Sequence, residues 1–116
     1  MQISIKDDAG STARVTLNGK LDIAGSDVVA LPLATLSGTK TAVLVDMSGV
    51  SFLASIGIRH LVSASKALGR RGGRLVLLNP NDLVTDVLVT SGVSEMMQIV
   101  RSESEADAAL KSYATG

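Results

Sequence analysis

Apolar and polar positions alternate along the first twenty residues. Ile3 and Ile5 point one way, the turn-forming run "DDAGS" follows, and then Ala13, Val15 and Leu17 alternate with Thr12, Arg14 and Thr16. A period of two belongs to half-buried strands, so "QISIKDDAGSTARVTLNGKLD" predicts a β-hairpin. "NGK" adds a turn or bulge at Gly19, after which "LDI" continues extended. The stretch "SDVVALPLATLSG" then reads as a helix, capped by Ser26 or Gly25 and closed by Gly38, with Asp27 suited to its positive end. Pro32 inside it predicts a kink or a division.

The period changes again at "TAVLVDMS", a continuous aliphatic run that predicts a strand covered on both faces by helices. A helix follows from Ser55 to about Arg70. Ile58, Leu61, Val62, Ser65 and Leu68 form its core stripe, and Arg59, Ser63, Lys66 and Arg70 its outer side. "GRRGG" ends that helix and "RLVLLN" gives another buried strand. Asn79 precedes Pro80, which suits the first turn of a helix through "NDLVTDVLVTSG", with Leu83, Val87 and Thr90 on one face. A short strand, "MMQIV", and a helix, "SEADAALKSYA", complete the chain. The order β-β-α-β-α-β-α-β-α predicts an α/β fold: a mostly parallel mixed sheet with an N-terminal antiparallel hairpin, covered by helices.

Composition narrows what such a domain can do. At 116 residues, 46% of them hydrophobic and 19% charged, the chain suits a single domain over residues 1–116 with a real core. Phe52 and Tyr113 are its only aromatics, which argues against base stacking on nucleic acid. Eleven basic residues balance eleven acidic ones, so the chain as a whole is not drawn to DNA or an anionic membrane. Cysteine is absent, which removes disulfides and thiolate chemistry and fits a cytoplasmic protein. His60 is the only histidine, so one chain cannot build a multi-histidine metal site. The first ten residues lack the basic start and apolar core of a signal peptide, and no aliphatic run approaches the ~20 residues that span a bilayer. No glycine-rich dinucleotide loop, P-loop or metal cluster stands out, so neither an enzyme nor a cofactor is expected.

Within "FLASIGIRHL" (residues 52–61), Ser55 has two readings. Serine is a favoured N-cap, although Ile58 rather than Glu or Gln stands three residues on, so there is no capping box. Alternatively Ser55 is a phosphoacceptor, since a phosphate at a helix start meets unpaired N–H groups and the positive dipole end. Gly57, costly by about 1 kcal/mol in a helix interior, reads either as close packing on a strand or as a flat approach for a partner.

"VLVDMSGVSFLASIGIRHL" resembles the core motif of STAS domains, named for sulfate transporters and anti-sigma-factor antagonists: a buried strand ending in Asp, a loop to an aromatic, then Asp-Ser-x-Gly-Leu opening a helix. Asp46, Phe52, Ser55 and Gly57 match, and Ile58 replaces the leucine. "LNGKLDI" resembles the family's Gly-x-Leu-Asp segment through Gly19, Leu21 and Asp22. The resemblance covers nearly the whole chain and implies a STAS-like sandwich. It also implies an anti-sigma factor antagonist that binds a serine-kinase-type anti-sigma factor, is switched off by phosphorylation of Ser55 and is restored by a serine phosphatase. Asp22, Ser55, Ile56, Gly57 and Arg59 would then meet the partner. Ala54 departs from the family, which carries Asp before the serine, and this puts the kinase reaction in question. A scaffold or ligand-sensing STAS module without phosphorylation is the alternative.

The remaining candidates have plainer readings. Asp46 ends its strand and bonds nearby backbone, His60 is a surface or boundary residue, and "GRRGGR" is a basic helix end with a glycine turn. A response-regulator receiver, with Asp7 and Asp8 as its acidic pair and Asp46 as phosphoacceptor, fails on element order: its first strand leads into a helix, not a hairpin.

Overall fold

In the computed structural model, which describes residues 1–7 and 10–113, five strands form one sheet in the order β1-β2-β3-β4-β5. They are β1 (Gln2–Asp7), β2 (Thr12–Leu21), β3 (Ala42–Leu53), β4 (Arg74–Leu78) and β5 (Gln98–Val100). β1 and β2 are antiparallel, while β2-β3, β3-β4 and β4-β5 are parallel. Between them run α1 (Ile23–Thr39), α2 (Ser55–Arg70) and α3 (Asp82–Thr90), and α4 (Glu103–Lys111) follows β5. A 3₁₀ turn at Val93–Met96 precedes β5, which is therefore shorter than "MMQIV" suggests. The α/β fold with its antiparallel hairpin and four helices is the expected one. Asp8, Ala9 and Ala114, which the hairpin turn and the last helix were expected to include, lie outside the described residues.

The two faces of the sheet are covered unequally. Ala13, Val15 and Leu17 of β2 join Val43, Val45, Met47, Leu75 and Leu77 beneath α1, α2 and α3, which contribute Leu33, Leu61, Leu68, Val84 and Leu88 among others. On the other face, Ala42, Leu44, Val76, Leu78 and Val100 meet Ala106, Ala109 and Leu110 of α4, with Tyr113 packed against them. The β2 side chains on that face are polar, and Arg14 holds Glu103 of α4 at 2.9 Å. The alternation in β2 thus sets which face takes the larger core, and the continuous aliphatic runs of β3 and β4 serve both.

Several boundaries differ from those expected. α1 begins at Ile23, not at Ser26, because Asp22 is its N-cap: the carboxylate accepts from the Gly25 N–H at 2.9 Å. "LDI" therefore turns into a helix instead of continuing extended. Gly38 does not close α1, which runs to Thr39 because the Arg71 guanidinium donates to the carbonyls of Ser37 and Lys40. Pro32 does not divide it; the carbonyl deprived of a donor belongs to Val28, an exposed residue. α3 begins at Asp82, with Asn81 as N-cap accepting from the Val84 N–H at 2.8 Å, so Pro80 lies before the helix.

The most consequential difference lies in β3. Asp46 does not end the strand: its carboxylate takes the N–H and hydroxyl of Ser48, and the strand runs on to Leu53. Pairing with β4 stops at Asp46, but pairing with β2 continues to Leu21 opposite Leu53. Two register shifts along the pair let the twelve residues of β3 match the ten of β2, the second at Gly19 and Lys20, where a turn or bulge was foreseen. The outcome is a two-stranded spur that carries two strand-to-helix turns side by side beyond β4.

Candidate functional site

At the tip of the spur the Ala54 N–H donates to the Leu21 carbonyl at 2.9 Å, which places the starts of α1 and α2 next to each other. Asp22 and Ser55, distant in sequence, are thereby brought to one end of the sheet. α2 packs directly on this end because residue 57 is glycine. A Cβ there would lie 3.0 Å from Leu53 Cδ1 and 3.1 Å from both Leu21 Cβ and the Leu21 carbonyl oxygen. Of the two readings of Gly57, the structure bears out close packing; the residue is buried.

Ser55 is exposed, but it is not the cap of α2. The chain stays extended through Ala54 (φ −90°, ψ 166°), which holds the cap position, and Ser55 is the first helical residue. An alanine cap offers no acceptor, so α2 starts with no side-chain hydrogen bond and no acidic residue in its first turn. α1, α3 and α4 are each capped by a side chain, from Asp22, Asn81 and Ser102. The free N–H groups and the positive dipole end of α2, where Ser55 is the first helical residue, are therefore unopposed by any side-chain acceptor.

Around Ser55, Ile56 is half-buried and Arg59, one turn on, is exposed. Phe52 on the spur is 44% exposed, a large apolar ring left at the surface near the serine. On the other side, Ser55 and Ile58 form one wall of an open, mostly apolar cleft of about 390 Å³, whose opposite wall is Leu83, Asp86 and Val87 of α3. Leu83 is 58% exposed, so this cleft presents apolar surface instead of burying it. It was not anticipated as part of the site. Its signal was the Leu83–Val87–Thr90 face of α3, whose neighbour across the cleft depends on how α2 and α3 dock.

The remaining candidates stay apart. Asp46 is tied to Ser48, His60 is a half-buried boundary residue, and Arg71 is engaged with α1. Among the described residues no group of three or more His, Cys, Asp or Glu side chains is placed to hold a metal ion, and no helix is long and apolar enough to cross a membrane.

A five-stranded mixed sheet with three helices on one face, one on the other, and a serine opening the helix after the central strand defines a small α/β domain built to present a helix start. The chain belongs to the STAS domain family, whose model matches residues 3–106. An anti-sigma F factor antagonist from Lysinibacillus sphaericus is 28% identical over 98 residues, covering 83% of this chain and 84% of that protein. The unphosphorylated form of the anti-sigma factor antagonist SpoIIAA superimposes with a TM-score of 0.81 at 23% identity, over 98% of this chain and 100% of the other. The phosphorylated form of SpoIIAA, a Bacillus cell-fate determinant, gives 0.74 at 23% identity over 94% and 99%.

Proposed function

We propose that the chain is an anti-sigma factor antagonist, a cytoplasmic and non-enzymatic switch that binds a serine-kinase-type anti-sigma factor and frees the sigma factor held by it. Phosphorylation of Ser55 by that kinase ends the binding, and a serine phosphatase restores it. The observation that carries this reading is the exposed Ser55 at the one side-chain-uncapped α-helix start among the described residues. The names of the similar proteins, antagonists known in unphosphorylated and phosphorylated forms, support it. Arg59 and Asp22 form the polar rim of the contact, Ile56 adds apolar surface to it, and Gly57 serves it by letting α2 seat on the spur. A phosphate would add up to about two negative charges beside an apolar cleft and opposite Asp86, which opposes docking without unfolding the domain.

The experiment is intact-mass measurement after incubation with candidate cognate kinases and ATP, alongside binding by Ser55→Ala and Ser55→Asp. One added phosphate in the native chain, none in Ser55→Ala, and at least tenfold weaker binding by Ser55→Asp are expected. No phosphate and undiminished binding by Ser55→Asp would leave an antagonist without a switch, the outcome to which Ala54 in place of the family's aspartate would correspond.

A further inference from the structure

α1 and α2 lie against each other on the larger face of the sheet, and toward the end of α2 they leave a groove of about 320 Å³ between them. On α2, His60, Ser63, Ala67 and Arg70 follow at spacings of three and four, one continuous line along the helix. Across from them on α1 stand Ala30, Leu33, Ala34 and Ser37, and Ala64 completes the floor. That floor is apolar, since the Ser37 hydroxyl is already committed to the Leu33 carbonyl at 2.7 Å. No acidic side chain lines the groove.

The two arginines at its end are used differently. Arg71 is consumed by the carbonyls at the close of α1. Arg70 has neither ion pair nor hydrogen bond to another described side chain, yet borders the groove. A single free guanidinium beside an aliphatic trough matches a ligand with one anionic head and an aliphatic body. The absence of Phe, Tyr and Trp and of a second arginine or lysine from its lining argues against polyphosphates and favours an aliphatic ligand over a nucleotide. At roughly 30 Å³ per water-sized group the space holds on the order of ten non-hydrogen atoms, at the small end of ligand sites.

We propose that this groove binds a medium-chain carboxylate, its head paired with Arg70 and its alkyl chain laid between Ala30, Ala34, Ala64 and Ala67. The head-group end of the site is remote from Ser55: fifteen residues of helix separate Ser55 from Arg70, about 22 Å along the axis at 1.5 Å per residue, while the other end of the groove, at His60, follows Arg59.

Octanoate matches the groove in size and is the probe, with octan-1-ol as the uncharged control, titrated into the ¹⁵N-labelled full chain. Saturable amide shifts confined to residues 30–37 and 60–71 are expected at millimolar octanoate. Arg70→Gln should weaken the affinity about tenfold and Arg70→Lys by less, with octan-1-ol binding more weakly than octanoate. Ala67→Leu, which fills the groove with a good helix former, should abolish the shifts while circular dichroism stays that of the native chain. Shifts scattered over other surfaces, or equal affinity of octanoate for the native chain and Arg70→Gln, would overturn the proposal. So would undiminished binding to Ala67→Leu. None of these outcomes touches the Ser55 reading, whose test uses a kinase and a mass measurement.

Discussion

The paired strands of the spur end in two turns of the same construction. Leu21-Asp22-Ile23-Ala24-Gly25 opens α1 and Leu53-Ala54-Ser55-Ile56-Gly57 opens α2, with Leu21 opposite Leu53 in register. Each has a buried leucine, an extended cap residue, two helical residues and then a glycine. In both the glycine exists because the helix folds back tightly on the strand it has just left. A Cβ on Gly25 would stand 2.0 Å from the Lys20 carbonyl oxygen, and one on Gly57 meets Leu21 and Leu53 at 3.0–3.1 Å. The turns part company at the cap. Asp22 closes the α1 start with its own carboxylate, whereas Ala54 leaves the α2 start to whatever binds there. One turn is finished by its own chain, and the other leaves its first N–H groups without a side-chain acceptor.

Substitutions at matched positions test that contrast. Gly25→Ala should be the most damaging, by about 3 kcal/mol, because backbone must move to admit the methyl group and the Asp22 hydrogen bond goes with it. Urea unfolding with an unchanged m-value would register it as a lower midpoint. At the caps the effects should have opposite sign. Asp22→Ala costs about 1 kcal/mol, and Ala54→Asp stabilises by a similar amount, since it supplies both an acceptor and a negative charge at the α2 start. If Ala54→Asp leaves thermal stability unchanged, the α2 start already has an acceptor and the contrast fails. Gly57→Ala should cost less than about 1 kcal/mol, because 3.0–3.1 Å contacts yield by small shifts and alanine regains helix propensity. The smallest effect falls to Ser55→Asp, a gain of about 0.5 kcal/mol from a carboxylate in the first turn. A loss of partner binding by this variant with its melting temperature held or raised separates the switch from unfolding.

The strands and the core stripe of α2 were legible because they rest on period alone. Ala13, Val15 and Leu17 are buried as their alternation demands, and Leu61, Ser65 and Leu68 as their helical spacing does. Helix starts were less legible: α1 was expected to begin at Ser26 or Gly25, α2 was expected to be capped by Ser55 itself, and α3 to begin at Pro80. A residue acts as cap through its backbone angles and the N–H it reaches, and Asp22 and Asn81 gain both from neighbouring strands and loops. The continuation of β3 past Asp46 was hidden for a related reason. The small and polar residues of "SGVS" keep only one strand partner, so they lack the two-sided apolar signature of residues 42–45. Ser55 was legible through its motif, but the apolar cleft beside it was not, because its second wall comes from α3.

The strand order β1-β2-β3-β4-β5 has a consequence for how the molecule comes into being. Every strand pairs with the one made just before it, so none has to be inserted between neighbours already joined. As the chain is made, the sheet can grow by addition always at the margin away from β1, and each new strand finds its template waiting. The final addition, β5, is only three residues long. Among the described residues the sheet thus ends, on the β5 side, in a margin too short to recruit a further strand from another chain.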